Sequence, residues 1–83
     1  LVSRVVPGAE RDAVVDGWTA MVAENAPLTI AAGKRAIREV LAEPADRDLA
    51  GLAAMVRACA LSEDYREGRT AFMEKRAPRF TGQ

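Results

Sequence analysis

The chain has 83 residues, with 12 Lys and Arg balanced by 12 Asp and Glu and 49% apolar residues of which few are aromatic. A chain this short is one domain at most and buries only about 60% of the surface its unfolded form exposes, so its stability is marginal without a partner. Zero formal charge removes any general attraction to nucleic acid or a membrane surface, and the lack of histidine beside one cysteine, Cys59, excludes an internal disulfide, the common metal-ligand sets and histidine-activated nucleophiles.

Leu1 to Val6 is β-branched and extended in character, and Pro7-Gly8 breaks it, which predicts the end of a strand or an extended lead-in over 1–7 whose pairing partners, if any, lie outside the sequence or in a second copy of it. From Ala9 to Asn25, Val14, Trp18, Met21 and Val22 follow the i, i+4, i+7, i+8 pattern of an amphipathic helix. Asn25-Ala26-Pro27 ends it, because proline disfavours the helical conformation in the residue before it and suits the first turn of the next helix. The second helix runs from Pro27 to about Ala42, with Ile30, Ile37, Val40 and Leu41 on one stripe beside Gly33 and Ala36, and with Lys34, Arg35 and Arg38 opposite.

Glu43-Pro44-Ala45-Asp46 punctuates again, and a third helix from about Asp46 to Leu61 places Leu49, Leu52, Ala53, Val56 and Cys59 on one face. Cys59 reads there as a buried, inert thiol. Ser62 is the predicted N-cap of a fourth helix that carries Glu63 and Asp64 in its first turn and Lys75 and Arg76 in its last, before Pro78 stops it. The predicted fold is all-α: about four short helices over 8–83 behind the extended lead-in.

No apolar run approaches the roughly 20 residues that span a bilayer, and a reducing, cytoplasmic setting is the natural expectation. The absent initiator methionine fits either N-terminal trimming or a piece of a longer protein. The acids fall at helix starts or on solvent faces, such as Asp12 with Asp16, which is not the cleft-spanning pair that acid–base catalysis needs. Glycines are scattered singly, with no phosphate-binding loop. The remaining signal is the basic C-terminal stretch of Arg66, Arg69, Lys75, Arg76 and Arg79 interleaved with Tyr65, Phe72 and Phe80. Such a stretch suits a phosphorylated ligand with an aromatic base, although cations near a helix C-terminus are favourable with no ligand at all.

Leu1-Val2-Ser3-Arg4-Val5-Val6-Pro7, Asn25-Ala26-Pro27-Leu28 followed by Lys34, Ser62-Glu63-Asp64-Tyr65-Arg66-Glu67-Gly68, Ala71-Phe72-Met73-Glu74-Lys75-Arg76 and Pro78-Arg79-Phe80-Thr81-Gly82 occur in this order along the chain. Together they resemble the C-terminal region of the enoyl-CoA hydratase/isomerase, or crotonase, family, the block from Ser62 to Gly82 being the most specific part. The resemblance implies a helical tail that comes after a spiral of β-β-α turns, and this sequence lacks that spiral. In the family the spiral carries the oxyanion hole and the acidic residues of the hydratases, so no catalytic residue transfers to this chain and no cofactor is bound tightly. The substrate of the parent would be a coenzyme A thioester. The tail would build trimer, or dimer-of-trimers, contacts, pack on the missing spiral domain and reach the nucleotide end of acyl-CoA. Phe72 is similar to the family's aromatic near the adenine, and Lys75 to the lysine that approaches the CoA phosphates, often across a subunit boundary. The other readings of the sequence are a free-standing helical interaction module and a nucleic-acid binder working through the basic last helix, to which the neutral overall charge is adverse.

Overall fold

The computed structural model describes residues 2–83, so Leu1 lies outside the described residues. Residues 2–7 form no strand and lead into a single 3-10 turn, Gly8–Glu10, closed by Glu10 N–H donating to the Pro7 carbonyl at 2.9 Å. Four α-helices come next: α1 Arg11–Ala23, α2 Pro27–Leu41, α3 Leu49–Ala60 and α4 Glu63–Glu74. The all-α expectation holds, and the breaks fall where proline and serine chemistry placed them. Pro27 opens α2 behind an extended Ala26, Pro44 opens a second 3-10 turn through Asp46, and Ser62 caps α4 by accepting from the Tyr65 N–H at 3.0 Å. At α3 the cap is Asp48, which accepts from the Gly51 N–H at 2.9 Å.

One helix end departs from expectation. The sequence pattern puts Lys75 and Arg76 in the last turn of α4, but the helix stops at Glu74 and Lys75 turns into the left-handed region at φ 55°, ψ 43°. The Arg76 N–H then donates back to the Ala71 carbonyl at 3.0 Å and the Lys75 N–H to Phe72 at 3.3 Å, the paired bonds of a Schellman motif. Glycine usually takes that position, because a Cβ there costs about 1–2 kcal/mol. Here Arg76 and Arg79, just past the turn, hold it in place. Arg76 clasps Glu67 with two hydrogen bonds, at 2.6 and 3.1 Å, and reaches Glu74 at 2.6 Å, while the Arg79 N–H donates to Glu67 at 3.0 Å.

Packing is concentrated between α2 and α3. Ala32 and Ala36 keep α2 slim enough for α3 to approach, and Leu52, Met55 and Cys59 are half-buried residues of α3. At one end of this contact the carboxylate of Glu39, itself buried, accepts from Arg35 and from the Asp48 N–H, the latter at 2.7 Å, while Arg35 also bridges to the Asp48 carboxylate at 2.8 Å. Arg47 donates to the carbonyls of Val40 and Ala42 and so satisfies the open end of α2. Helix α1 packs mainly on its own leading turn.

The expected stripes are present but lie open. On α2 most of the predicted apolar stripe remains exposed, Leu41 at 80%, and the helix buries Ala32 and Glu39 instead. Leu49 and Val56 are likewise exposed, and Cys59 is half-buried rather than enclosed. The physical reason is the shape: the molecule measures 45 × 42 × 16 Å with a radius of gyration of 16.5 Å. A compact chain of this length has a radius near 12 Å. The accessible surface, 7012 Å², exceeds by roughly 2,200 Å² what a folded monomer of 8.9 kDa presents. Ala32 and Ala71 are the buried apolar residues among those described. No helix is long and apolar enough to cross a membrane among the described residues.

Candidate ligand cleft on the last helix

A concavity lies where the start of α2, the end of α3, α4 and the C-terminal tail converge. It encloses about 350 Å³ and is lined chiefly by Leu28, Cys59, Tyr65, Arg69, Phe72 and Phe80. Tyr65, Gly68, Arg69 and Phe72 have the i, i+3, i+4, i+7 spacing, so α4 presents them on one face. The Phe80 ring lies against the helix at Gly68, where a Cβ would stand 3.5 Å from its Cε1, an ordinary contact distance.

Phe80 is placed by Asp64. That residue is only 3% exposed, and its carboxylate accepts from the main-chain N–H of Thr81 and of Gly82, each at 2.7 Å, and more weakly from the Thr81 hydroxyl at 3.4 Å. In return the Asp64 N–H donates to the Gln83 carbonyl at 2.8 Å. The tail is thus strapped to the first turn of α4, with Gly82 (φ 82°) making the bend beside Pro27. The sequence offers Asp64 only as a helix-start acid. Its partners lie 17 and 18 residues away, a separation that no local pattern reports.

Of the two residues singled out from the sequence, Phe72 lines the cleft and is 82% exposed, a ring with a free face. Lys75 does not line it. The three-residue spacing that suggests a shared helical face fails at Lys75, because its backbone has already left the helix. Arg69 is the cation at the cleft itself, and it makes no ion pair among the described residues.

The electrostatics around the cleft are structural. Two hydrogen bonds from Arg76, then one from the Arg79 N–H, hold the Glu67 carboxyl at about 2, far below its ordinary 4.5, and the same contacts raise Arg76. Arg35 and then the Asp48 N–H lower Glu39, and the Gly51 N–H and then Arg35 lower Asp48. All of these carboxylates are committed to protein partners. The Ser62 hydroxyl donates to the Cys59 carbonyl at 2.6 Å and, as the helix cap, has no base beside it. Among the described residues no cluster of acids, cysteine or histidine can hold a metal ion. Rings, aliphatic side chains and a free guanidinium equip the cleft to hold a flat ligand bearing negative charge.

No protein-family model matches the sequence. Methylmalonyl-CoA decarboxylase of Escherichia coli (strain K12) is 44% identical over 64 residues, which cover 74% of this chain and 24% of that protein. Among solved structures, an enoyl-CoA hydratase/isomerase-type protein from Mycobacterium abscessus superposes with a TM-score of 0.82 at 32% identity, over 99% of this chain and 34% of that one. The chain therefore spans about a quarter of the first relative and a third of the second. Likeness in both sequence and backbone shows that the chain belongs to the enoyl-CoA hydratase/isomerase (crotonase) family as a C-terminal region.

Proposed function

We propose that this chain is the C-terminal helical segment of an enoyl-CoA hydratase/isomerase-like protein, supporting oligomerisation and the nucleotide end of the acyl-CoA site, and inactive alone. The observation that carries the reading is the open slab itself: apolar side chains on all four helices lie uncovered, while the fold around them is capped and hydrogen-bonded. Such faces suit a segment that completes itself against other polypeptide, here a spiral domain entered through the lead-in at 1–7 and neighbouring copies in a trimer. A free-standing interaction module would need a core of its own, and two buried alanines do not make one.

Within this reading Phe72 offers its exposed ring to the adenine, and Arg69 and Lys75 supply positive charge for the phosphates. Lys75 reaches that role from a left-handed turn beyond the helix end. The chain's contribution is binding and orientation, and the reacting thioester would sit elsewhere in the parent. The test is kinetic, on the assembled parent. Phe72→Ala and Lys75→Glu should each raise KM for acyl-CoA, with kcat nearly unchanged, because contacts to a remote nucleotide are made equally in ground and transition states. Loss of ring stacking alone would raise KM roughly fivefold to a hundredfold. An unchanged KM in both variants would remove the nucleotide end of CoA from this region.

A further inference from the structure

The ligand cleft owes one of its walls to a segment with no regular structure. Residues 77–83 belong to no helix or strand, yet Phe80 within them is half-buried and lines the cleft beside Phe72. Its ring rests on α4 at Gly68, one turn before Phe72 on the same helical face, so two rings stand next to each other along one side of the cleft. Gly82 meets the opposite side, where a Cβ would stand 3.8 Å from Cγ of Pro27 at the start of α2. With no helix to dictate its path, the tail takes its position from what anchors it. Before Phe80, the Arg79 N–H donates to Glu67 at 3.0 Å. After it, the Thr81 N–H reaches one oxygen of Asp64 and the Gly82 N–H the other, each at 2.7 Å. Both oxygens of that buried carboxylate are therefore committed to the tail rather than to a ligand.

We propose that Asp64 is a positioning residue for ligand binding: by strapping the tail to α4 it sets Phe80 in advance as the second aromatic wall of the cleft. The inference rests on the reading of the cleft as the nucleotide end of an acyl-CoA site and adds to it a residue that works without touching the ligand. A ring on an unanchored tail would have to be ordered as the ligand arrives, and that ordering would be subtracted from the affinity. A ring already in place costs nothing at that moment. Apparent affinity scales with the fraction of molecules whose strap is closed, so releasing Asp64 weakens binding through Phe80 alone. The coupling runs both ways: a ligand resting against Phe80 must tighten the strap by the same factor as the strap tightens the ligand.

A double-mutant cycle on the assembled parent tests this, with coenzyme A as the probe and its Kd measured by titration calorimetry. Phe80→Ala should weaken coenzyme A roughly fivefold or more, as loss of a stacking ring does, and Asp64→Ala should weaken it by a similar factor. In the Phe80→Ala background, Asp64→Ala should cost less than about twofold, because the wall through which it acts is already gone. General damage to the fold would not show that non-additivity. The wild type supplies a reading that needs no variant: saturating coenzyme A should slow hydrogen exchange at Thr81 and Gly82 at least roughly fivefold. Equal losses from Asp64→Ala in both backgrounds, or exchange at Thr81 and Gly82 that ignores the ligand, would overturn the positioning role. So would an unchanged Kd in Asp64→Ala while Phe72→Ala still weakens binding, and there the reading of the cleft as a nucleotide site survives. Failure of that reading is a different outcome, in which Phe72→Ala and Phe80→Ala both leave the Kd where it was.

Discussion

Replacing Asp64 with Ala tests how the tail is held. In the wild type one carboxylate accepts two main-chain hydrogen bonds at 2.7 Å from Thr81 and Gly82, in a site only 3% exposed. Hydrogen bonds to a charged group contribute about 1.5–3 kcal/mol each, so the strap is worth about 3–6 kcal/mol before the entropy of releasing the tail is counted. That entropy returns part of it, and loss of an acid from the first turn of α4 adds a few tenths to about 1 kcal/mol. Net, the tail should open about 2–3 kcal/mol more easily, a loss of amide protection of roughly 30-fold to 160-fold at Thr81 and Gly82. Global unfolding should change less, because the tail can leave while α2 and α3 stay packed. Hydrogen exchange by NMR resolves the two effects. Asp64→Asn, which keeps the shape but must turn an NH₂ toward one donor, should fall between wild type and Ala. Protection at Thr81 and Gly82 that is unchanged in Asp64→Ala would refute the strap, and with it the placement of Phe80 over Gly68.

Lys75→Gly should stabilise the isolated chain by about 1 kcal/mol, read as a rise in Tm, because glycine adopts the left-handed turn without the Cβ penalty. A drop in Tm would mean that the Lys75 side chain contributes more than its backbone costs. Gly33→Ala and Gly51→Ala should differ in sign: the first meets open space in the middle of α2 and should gain up to about 1 kcal/mol in helix propensity, whereas the second overlaps the Asp48 carboxylate that caps α3 and should lower Tm. Glu67 has a carboxyl pKa of about 2 against an ordinary 4.5, so the stabilisation it provides is fully present above pH 4.5 and is lost as pH falls toward 2. Carboxyl NMR titration should find Glu67 protonating near pH 2, far below its ordinary 4.5, and Glu67→Gln should flatten the acid limb of the stability curve. The isolated chain should show no hydration of crotonyl-CoA, since no group lining its cleft is arranged as an oxyanion hole or an acid–base pair; turnover surviving purification would sink that expectation.

The helix breaks are legible in the sequence because they are local chemistry. Pro27 and Pro44 fix backbone angles wherever they stand, and Ser62 caps whatever helix comes after it. The apolar stripes on α1, α2 and α3 are legible as stripes, but periodicity reports that a face is apolar and not what covers it. Among the described residues Ile37, Val40 and Leu41 stay mostly exposed. The networks that hold the tail are invisible, because Asp64 with Thr81 and Glu67 with Arg79 join residues more than ten positions apart, and acids near the start of a helix have an ordinary explanation. Lys75 shows the limit of a helical wheel: it stands three residues from Phe72, but the helix ends one residue before the lysine. Phe72 and Lys75 themselves stand out only through family resemblance, since composition alone gives a basic helix end no ligand.

The 16 Å thickness has a calorimetric consequence. Helices spread in one layer expose both sides to water before unfolding begins, so melting uncovers little new apolar surface. Heat-capacity increments follow that surface, and a globular chain usually shows about 12–15 cal/mol/K per residue. This chain should fall well below that range when alone and dilute, with a broad transition and a stability that scarcely bends with temperature. A sharp endotherm with a normal increment should appear only as layers are laid together. The thermodynamics of a folded domain would then belong to the assembly, and each copy would acquire them at the moment of association.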